Sequence, residues 1–269
     1  PLILALVSIS WIPLLVRWQF LLKKNKINIP TKNSFLIFLG GISMAITPGH
    51  VGELIKSQLI KNNYNIPRTK TAPIIFIEKF YDLTGAIIAS IIGIIILGMD
   101  TNLIIFSILV LSVIIFLIFY RPIFEFLLKR ITKTKLFSKY SDNIVESYEI
   151  IRNSTTTKTA SISFGLSILY WIIISVAVYF ILLSFGIESV SLLRTISIYS
   201  SSVIIGAVSF IPGGIGVTEG SLIGLFSLEG IEISMAIFLS VMIRIFTMWY
   251  SVCIGFICLK FTGGLSKIK

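Results

Sequence analysis

Charged residues are scarce in this sequence: Asp, Glu, Lys and Arg make up 13% of 269 residues, against roughly 25% in an ordinary soluble domain. A single histidine, His50, excludes a histidine-rich metal site, and nothing marks a carboxylate-only one. The two cysteines, Cys253 and Cys258, lie five positions apart in one apolar stretch and therefore on different helix faces. That spacing argues against a disulfide between them, and they read as small apolar residues. No GxxxxGK[ST] loop is present to hold nucleotide phosphates, and no cofactor is expected. Alternating segments of about ten residues, the mark of a membrane β-barrel, are missing too.

Apolar length is what remains. Hydrophobic residues form 55% of the chain and the mean hydropathy is +0.97. Five runs, Pro1–Leu22, Thr71–Gly98, Leu103–Tyr120, Ile162–Phe185 and Ile233–Leu259, approach or exceed the roughly 18–20 residues a helix needs to cross hydrocarbon. The expected fold is all-α, a polytopic transmembrane bundle. The first run is too long for a signal-peptide core and has no charged segment before it.

Two further stretches are interrupted. Ser34–Thr47 meets Pro48-Gly49 before Val51–Ile60, and Thr195–Ile211 meets Pro212-Gly213-Gly214-Ile215-Gly216 before Val217–Phe226. Proline removes a backbone donor and glycine relaxes the chain, so each stretch crosses as a kinked helix or returns as a hairpin. Basic residues decide between these. If both are re-entrant hairpins, 18 lysines and arginines share one side, in segments 23–33, 61–70, 121–159 and 260–269, and Arg194 alone faces the other. If both cross, the same basic residues split 7 against 11. The positive-inside rule favours the hairpins and makes the basic side cytoplasmic.

With that topology the two hairpins enter from opposite faces. The sequence repeats in step: Pro48-Gly49-His50-Val51-Gly52-Glu53 matches Pro212-Gly213-Gly214-Ile215-Gly216 with Glu219. Lys79 lies 31 residues after Pro48, and Arg244 lies 32 after Pro212. Inverted repeats with broken helices are a common transporter plan, with the site at the repeat interface. A single membrane domain, 1–269, is expected, with repeat-like halves of about 1–120 and 160–269 joined by the loop 121–159. Ile123, Phe124, Phe126, Leu127 and Leu128 among basic residues suggest an amphipathic piece on the cytoplasmic surface, and the spacing in Asp142–Arg152 continues it.

Ionisable groups inside the apolar runs carry the most information, because each costs at least about 2.5–3.5 kcal/mol at the bilayer centre. Glu78, Lys79 and Asp82 share one helix region, where a structural ion-pair cluster competes with a functional role. Arg244 lies about 16 Å into its helix at about 1.5 Å per residue, without an acid nearby in that helix. Its partner must be Glu53, Glu219 or a bound anion. Half-helices starting at Gly49 or Gly216 would present free amides to an anion. Glu53 and Glu219, in their first turns, read equally well as caps. Trp249 and Tyr250 read as packing residues; Trp11, Trp18 and Trp171 read as packing or interface anchors.

Four blocks together resemble a known family: Ile46–Lys56 (ITPGHVGELIK), Glu78-Lys79-Phe80-Tyr81-Asp82, Phe210–Glu219 (FIPGGIGVTE), and Ile243-Arg244 followed by Trp249-Tyr250. They look like the signatures of the lysylphosphatidylglycerol synthase transmembrane-region family, also called flippase-like membrane proteins. Arg17-Trp18 resembles its arginine-tryptophan block at the end of an early helix. The resemblance implies movement of a lipid with a polar or charged headgroup between leaflets, in the cell membrane, and an additional helix before Pro1. Some members carry a fused cytoplasmic aminoacyl-transferase domain, which these residues do not contain. Lys56 and Lys79 stand where the family pattern has arginine, which removes the planar fork that grips phosphate.

The expected substrate-binding set is therefore Pro48, Gly49, Gly52, Glu53 and Lys56 at the first break, Glu78, Lys79 and Asp82 on the next helix, Pro212, Gly213, Gly214, Gly216 and Glu219 at the second break, and Arg244. The expected activity is passive or ion-coupled translocation of a phospholipid or lipid-linked sugar, with Glu78, Asp82 or Glu219 as proton carriers. No nucleic-acid partner is expected; a cytoplasmic lipid-modifying enzyme or glycosyltransferase is a candidate partner. Two rivals stand beside this reading: a membrane-embedded transferase with Asp82 or Glu78 as general base, and a scaffold docking such an enzyme through 121–159.

Overall fold

The computed structural model describes residues 1–96 and 141–262, without the side chains of 49, 50, 92–96 and 141–144. The run Leu103–Tyr120, the amphipathic piece at 123–135 and the tail lysines Lys267 and Lys269 lie outside these residues. All regular structure among the described residues is helical. In order it comprises α1 (Leu2–Lys24), α2 (Thr31–Ile42), a 3-10 segment (Pro48–Leu54), α3 (Ile55–Tyr64) and α4 (Arg68–Ile96). Then follow α5 (Ser141–Ser154), α6 (Thr157–Ser184), α7 (Leu192–Val208), a 3-10 turn (Pro212–Gly214), α8 (Val217–Leu228), α9 (Ile233–Arg244), a π-helical segment (Ile245–Trp249) and α10 (Tyr250–Phe261).

Three of these helical runs are long and apolar enough to cross a membrane: α1, α6, and the continuous 29 residues from Ile233 to Phe261. Helix α4 is also 29 residues long but carries Glu78, Lys79 and Asp82. These charges are balanced by packed partners, described below.

Close approach between helices depends on small residues, as expected where lipid offers no hydrophobic drive for association. A Cβ on Gly255 of α10 would stand 2.6 Å from the Ser43 amide nitrogen and 2.7 Å from the Leu39 carbonyl oxygen, so only glycine lets α10 lie on α2. A Cβ on Gly85 of α4 would stand 2.8 Å from Ser167 Cβ of α6. Trp18 is fully buried and donates its indole N–H to Ser34 Oγ at 3.1 Å, tying α1 to α2. Trp171 donates to the Asp82 carbonyl at 3.0 Å, tying α6 to α4. Trp11 stacks on Tyr250 at 5.6 Å, and the Tyr250 hydroxyl shares a hydrogen bond with Ser8 Oγ at 2.9 Å. Trp249 departs from the packing expected of it, with 43% of its surface exposed.

The pairing of helices has a regular form. Helix α1 packs along α6, α4 packs on α7, and α10 packs on α2; α1 also touches α4, as α6 touches α9. The two breaks meet: the 3-10 segment at Pro48–Leu54 packs against the turn at Pro212–Gly214. Helix α5 lies on α4, where Tyr81 donates to the Ser154 carbonyl at 2.8 Å and Thr69 to Glu146 at 2.6 Å.

Candidate functional site

The first break does not start an α-helix at Gly49 as expected. Pro48 lacks an amide hydrogen, Thr47 Oγ1 accepts the Gly52 N–H at 2.7 Å, and the chain winds tightly as 3-10 until Ile55. Gly52 is demanded by this turn, since a Cβ there would stand 2.6 Å from Thr47 Cγ2 and 2.9 Å from Met44 Cβ. The geometry delivers Glu53 and Lys56 inward, to 4% and 1% exposure. Lys56 reaches the interior across Gly41, whose missing side chain leaves room for the lysine stem; a Cβ would lie 2.5 Å from Lys56 Cγ.

Glu53, Lys56, Glu78, Lys79 and Asp82 come together, and Arg17 of α1 joins them. The charges alternate in one ladder. Arg17 Nη2 lies 2.6 Å from Asp82 Oδ1, and Lys79 Nζ lies 3.2 Å from Asp82 Oδ2 and 2.6 Å from Glu53 Oε1. Lys56 Nζ lies 3.3 Å from Glu53 Oε2 and 2.7 Å from Glu78 Oε2. Three cations face three carboxylates, so the ladder is neutral as a whole. Arg17 also donates to Ser167 Oγ on α6. The Lys56 ammonium sits 4.9 Å from the Trp18 ring centre and 5.5 Å from that of Phe38, a cation–π arrangement that offsets part of its lost hydration. Lys79 is the accessible cation, its side chain 33% exposed, whereas those of Arg17 and Lys56 are 1% and 2% exposed.

The second break forms a separate group. Gly213, Gly214 and Gly216 adopt φ of +61°, +63° and +85°, the left-handed region that side chains resist. Thr218 Oγ1 packs into the space left by the missing side chains of Gly206 and Gly214. Helix α8 begins at Val217, and Glu219 accepts the Gly216 N–H at 2.6 Å, so the carboxylate does cap this helix. The same carboxylate takes Arg244 Nε at 2.6 Å, while Arg244 Nη2 donates to the Gly213 carbonyl. Of the partners open to Arg244, the fold supplies Glu219. Arg244 is consequently neutralised at 8% exposure rather than left as a bare cation.

The acid after each break thus pairs with the cation on the helix that follows: Glu53 with Lys79, Glu219 with Arg244, both at 2.6 Å. Between the two breaks lies a cavity of about 90 Å³. Its wall includes Ala45 and Thr47 from the first break, Gly213, Gly214 and Thr218 from the second, and Arg244 and Met248 from α9 and the π segment. The π segment inserts an extra residue in the turn after Arg244, and such bulges gather at functional sites. Of the expected residues, Gly213, Gly214 and Arg244 line this cavity; Lys56 and Glu78 are committed to the ladder instead. The side chain of His50 lies outside the description.

Sequence reasoning missed Arg17, Thr47, Thr218 and Met248 as site residues. Arg17 carried a signal, a guanidinium inside the first apolar run and in the arginine-tryptophan block, but that block by itself names no partner for it. Thr47 and Thr218 fall inside the two break blocks, Ile46–Lys56 and Phe210–Glu219, which was their only signal; Met248 carried none. No metal-binding cluster of His, Cys, Asp and Glu occurs among the described residues, and both cysteines are free, Cys253 exposed and Cys258 buried.

Residues 1–255 match the family described as the lysylphosphatidylglycerol synthase TM region. A UPF0104 membrane protein of Methanocaldococcus jannaschii is 28% identical over 214 residues, 78% of this chain and 90% of that protein. One from Pyrococcus horikoshii is 25% identical over 273 residues, 89% of this chain and 80% of that protein. A match to a UPF0104 membrane protein of Methanothermobacter thermautotrophicus, at 27% identity, covers 46% of this chain and only 37% of that protein. No solved structure matches the chain. With nearly its whole length matched, the chain belongs to the lysylphosphatidylglycerol synthase TM region family of membrane proteins.

Proposed function

We propose that this protein moves a lipid with an anionic headgroup between membrane leaflets, and that the headgroup binds in the cavity between the two breaks. One observation carries the reading: two interrupted helices meet around a cavity lined by Arg244, apart from the neutral ladder. A guanidinium there offers hydrogen bonds to phosphate, and the Thr218 hydroxyl lies on the same wall. Apolar side chains around the breaks stay exposed, among them Val51, Leu54, Phe210, Ile211 and Ile215. They suit acyl chains that remain in the bilayer while the headgroup passes.

In this reading α2–α3 and α7–α8 are re-entrant hairpins of an inverted repeat, with α1 corresponding to α6 and α4 to the run from α9 to α10. The packing supports that correspondence. Exchanging the halves turns the α4·α7 contact into the α10·α2 contact and the α1·α4 contact into the α6·α9 contact, and leaves α1·α6 and the break–break contact in place. The two acid–cation pairs exchange likewise.

The test is a scrambling assay in proteoliposomes with fluorescent-tailed phosphatidylglycerol and phosphatidylcholine. Wild type should exchange phosphatidylglycerol well above protein-free vesicles, Arg244→Ala should fall to that background, and Arg244→Lys should lie between. Wild-type rates at the protein-free level for every lipid, or full rates in Arg244→Ala, would overturn the reading.

A further inference from the structure

The two break acids are held differently. Glu53 is 4% exposed and lies between two ammonium groups, Lys79 at 2.6 Å and Lys56 at 3.3 Å. Glu219 has one cation, Arg244 at 2.6 Å, and one amide, that of Gly216 at 2.6 Å, and its side chain is 22% exposed. Withdrawing Glu53 would break two ion pairs at once and leave Lys79 with Asp82 at 3.2 Å and Lys56 with Glu78 at 2.7 Å. Withdrawing Glu219 strands one arginine, beside a cavity of about 90 Å³.

Charge balance then selects the ligand. With Glu219 ionised, the Arg244 pair is already neutral, and an added anion would set two negative charges on one guanidinium. With Glu219 protonated, its carbonyl oxygen can still accept the Gly216 N–H, and Arg244 keeps one positive charge facing the cavity. A single monoanion restores neutrality; a phosphomonoester dianion leaves one negative charge without a counterion. We propose that Glu219 is the exchangeable partner of Arg244, so that one proton on Glu219 and one phosphodiester monoanion on Arg244 bind together and leave together. In balance, the carboxylate–guanidinium pair, one proton and one phosphodiester anion become a carboxylic acid and a guanidinium–phosphodiester pair. No covalent bond changes except the new O–H. The inference rests on the headgroup site proposed above.

Other titratable groups on the elements packed around Glu219 are committed elsewhere or poorly suited. On α7, Arg194 is held by Glu229, just after α8, at 2.5 Å, and Tyr199 is a buried phenol. At the first break, Glu53 is shared by Lys56 and Lys79. His50, on the same segment, is tested directly.

The experiment uses the full chain in phosphate-free dodecyl maltoside micelles and phosphatidylglycerol with a fluorescent acyl chain. Binding is measured from about pH 5 to 9, with proton uptake read by an indicator in weak buffer. In wild type the Kd should weaken by about tenfold per pH unit once Glu219 is ionised in the free protein, with one proton taken up per lipid there. Glu219→Gln should bind tightly at every pH and take up no proton, His50→Gln should keep the linkage, and phosphatidic acid as its dianion should compete poorly. Arg244-dependent binding without pH dependence or proton uptake would overturn the linkage and leave the headgroup site standing. A linkage lost in His50→Gln but kept in Glu219→Gln would do the same. Binding indifferent to Arg244→Ala would overturn both. If Glu219→Gln fails to fold, the wild-type proton count decides alone. Dimethyl phosphate in solution distinguishes the source: binding as tight as the lipid's would support the proton linkage and overturn the assignment to a lipid.

Discussion

Lys56→Met tests whether the buried charges are held as a ladder or merely lie close. Lys56 is 1% exposed, and its ammonium is the nearest cation to Glu78 at 2.7 Å while also reaching Glu53 at 3.3 Å. Methionine fills much of the lysine stem's volume across Gly41, so the loss is mainly electrostatic. Glu53 keeps Lys79 at 2.6 Å, but Glu78, 1% exposed, loses its direct counterion. Removing one partner of a buried pair costs about 3–5 kcal/mol, because the other charge is left without compensation. The double variant Lys56→Met, Glu78→Leu removes both ends of the pair and leaves Arg17, Asp82, Lys79 and Glu53 neutral. It should recover most of that loss, to within about 1 kcal/mol of wild type, since apolar replacement of a buried pair is often nearly neutral. Reversible denaturation of the detergent-solubilised protein, followed by tryptophan fluorescence, measures all four corners of this cycle. Additive losses, with the double variant as unstable as the two singles combined, would refute the coupling.

Three further outcomes are expected. Gly213→Leu should abolish lipid exchange while the protein still inserts and purifies, since the residue sits at φ +61° and its Cβ would meet Ile46 Cγ1 at 3.2 Å and Met248 Sδ at 3.4 Å; wild-type exchange would show that the breaks need not meet. Gly255→Leu should destabilise the protein by several kcal/mol, on the order of the largest packing losses, because α10 would be pushed off the α2 backbone; an unchanged denaturation midpoint would contradict this contact. In a background with Cys253 and Cys258 replaced, cysteines at Lys26 and Asn65 should label from one side of the membrane and a cysteine at Glu188 from the other. Labelling of positions 26 and 65 from opposite sides would mean that α2–α3 crosses rather than returns.

The apolar runs, the two Pro-Gly interruptions and the identities of the buried charges were legible without coordinates. Hydrocarbon length and the cost of burying charge act on composition and local order, so α1, α6 and the run from Ile233 appear close to where periodicity and length placed them. The same arithmetic marked Glu53, Lys56, Glu78, Lys79, Asp82, Glu219 and Arg244 as residues that must find partners. Which partner each one finds is a long-range matter. Arg244 meets Glu219 across 25 residues and Lys56 meets Glu78 across 22, while Arg17 reaches Asp82 across 65. Local patterning cannot encode such meetings; they follow from how α1, α4, α6 and the two breaks pack. The winding of Pro48–Leu54 as 3-10 rather than α was likewise decided by Thr47 capping Gly52 and by the drawing-in of Glu53 and Lys56. Sequence alone determined that this is an apolar helical chain with costly charges and broken helices. Only tertiary packing decided that one half would lock its charges into a ladder, and that the other would leave a single acid–guanidinium pair beside a cavity.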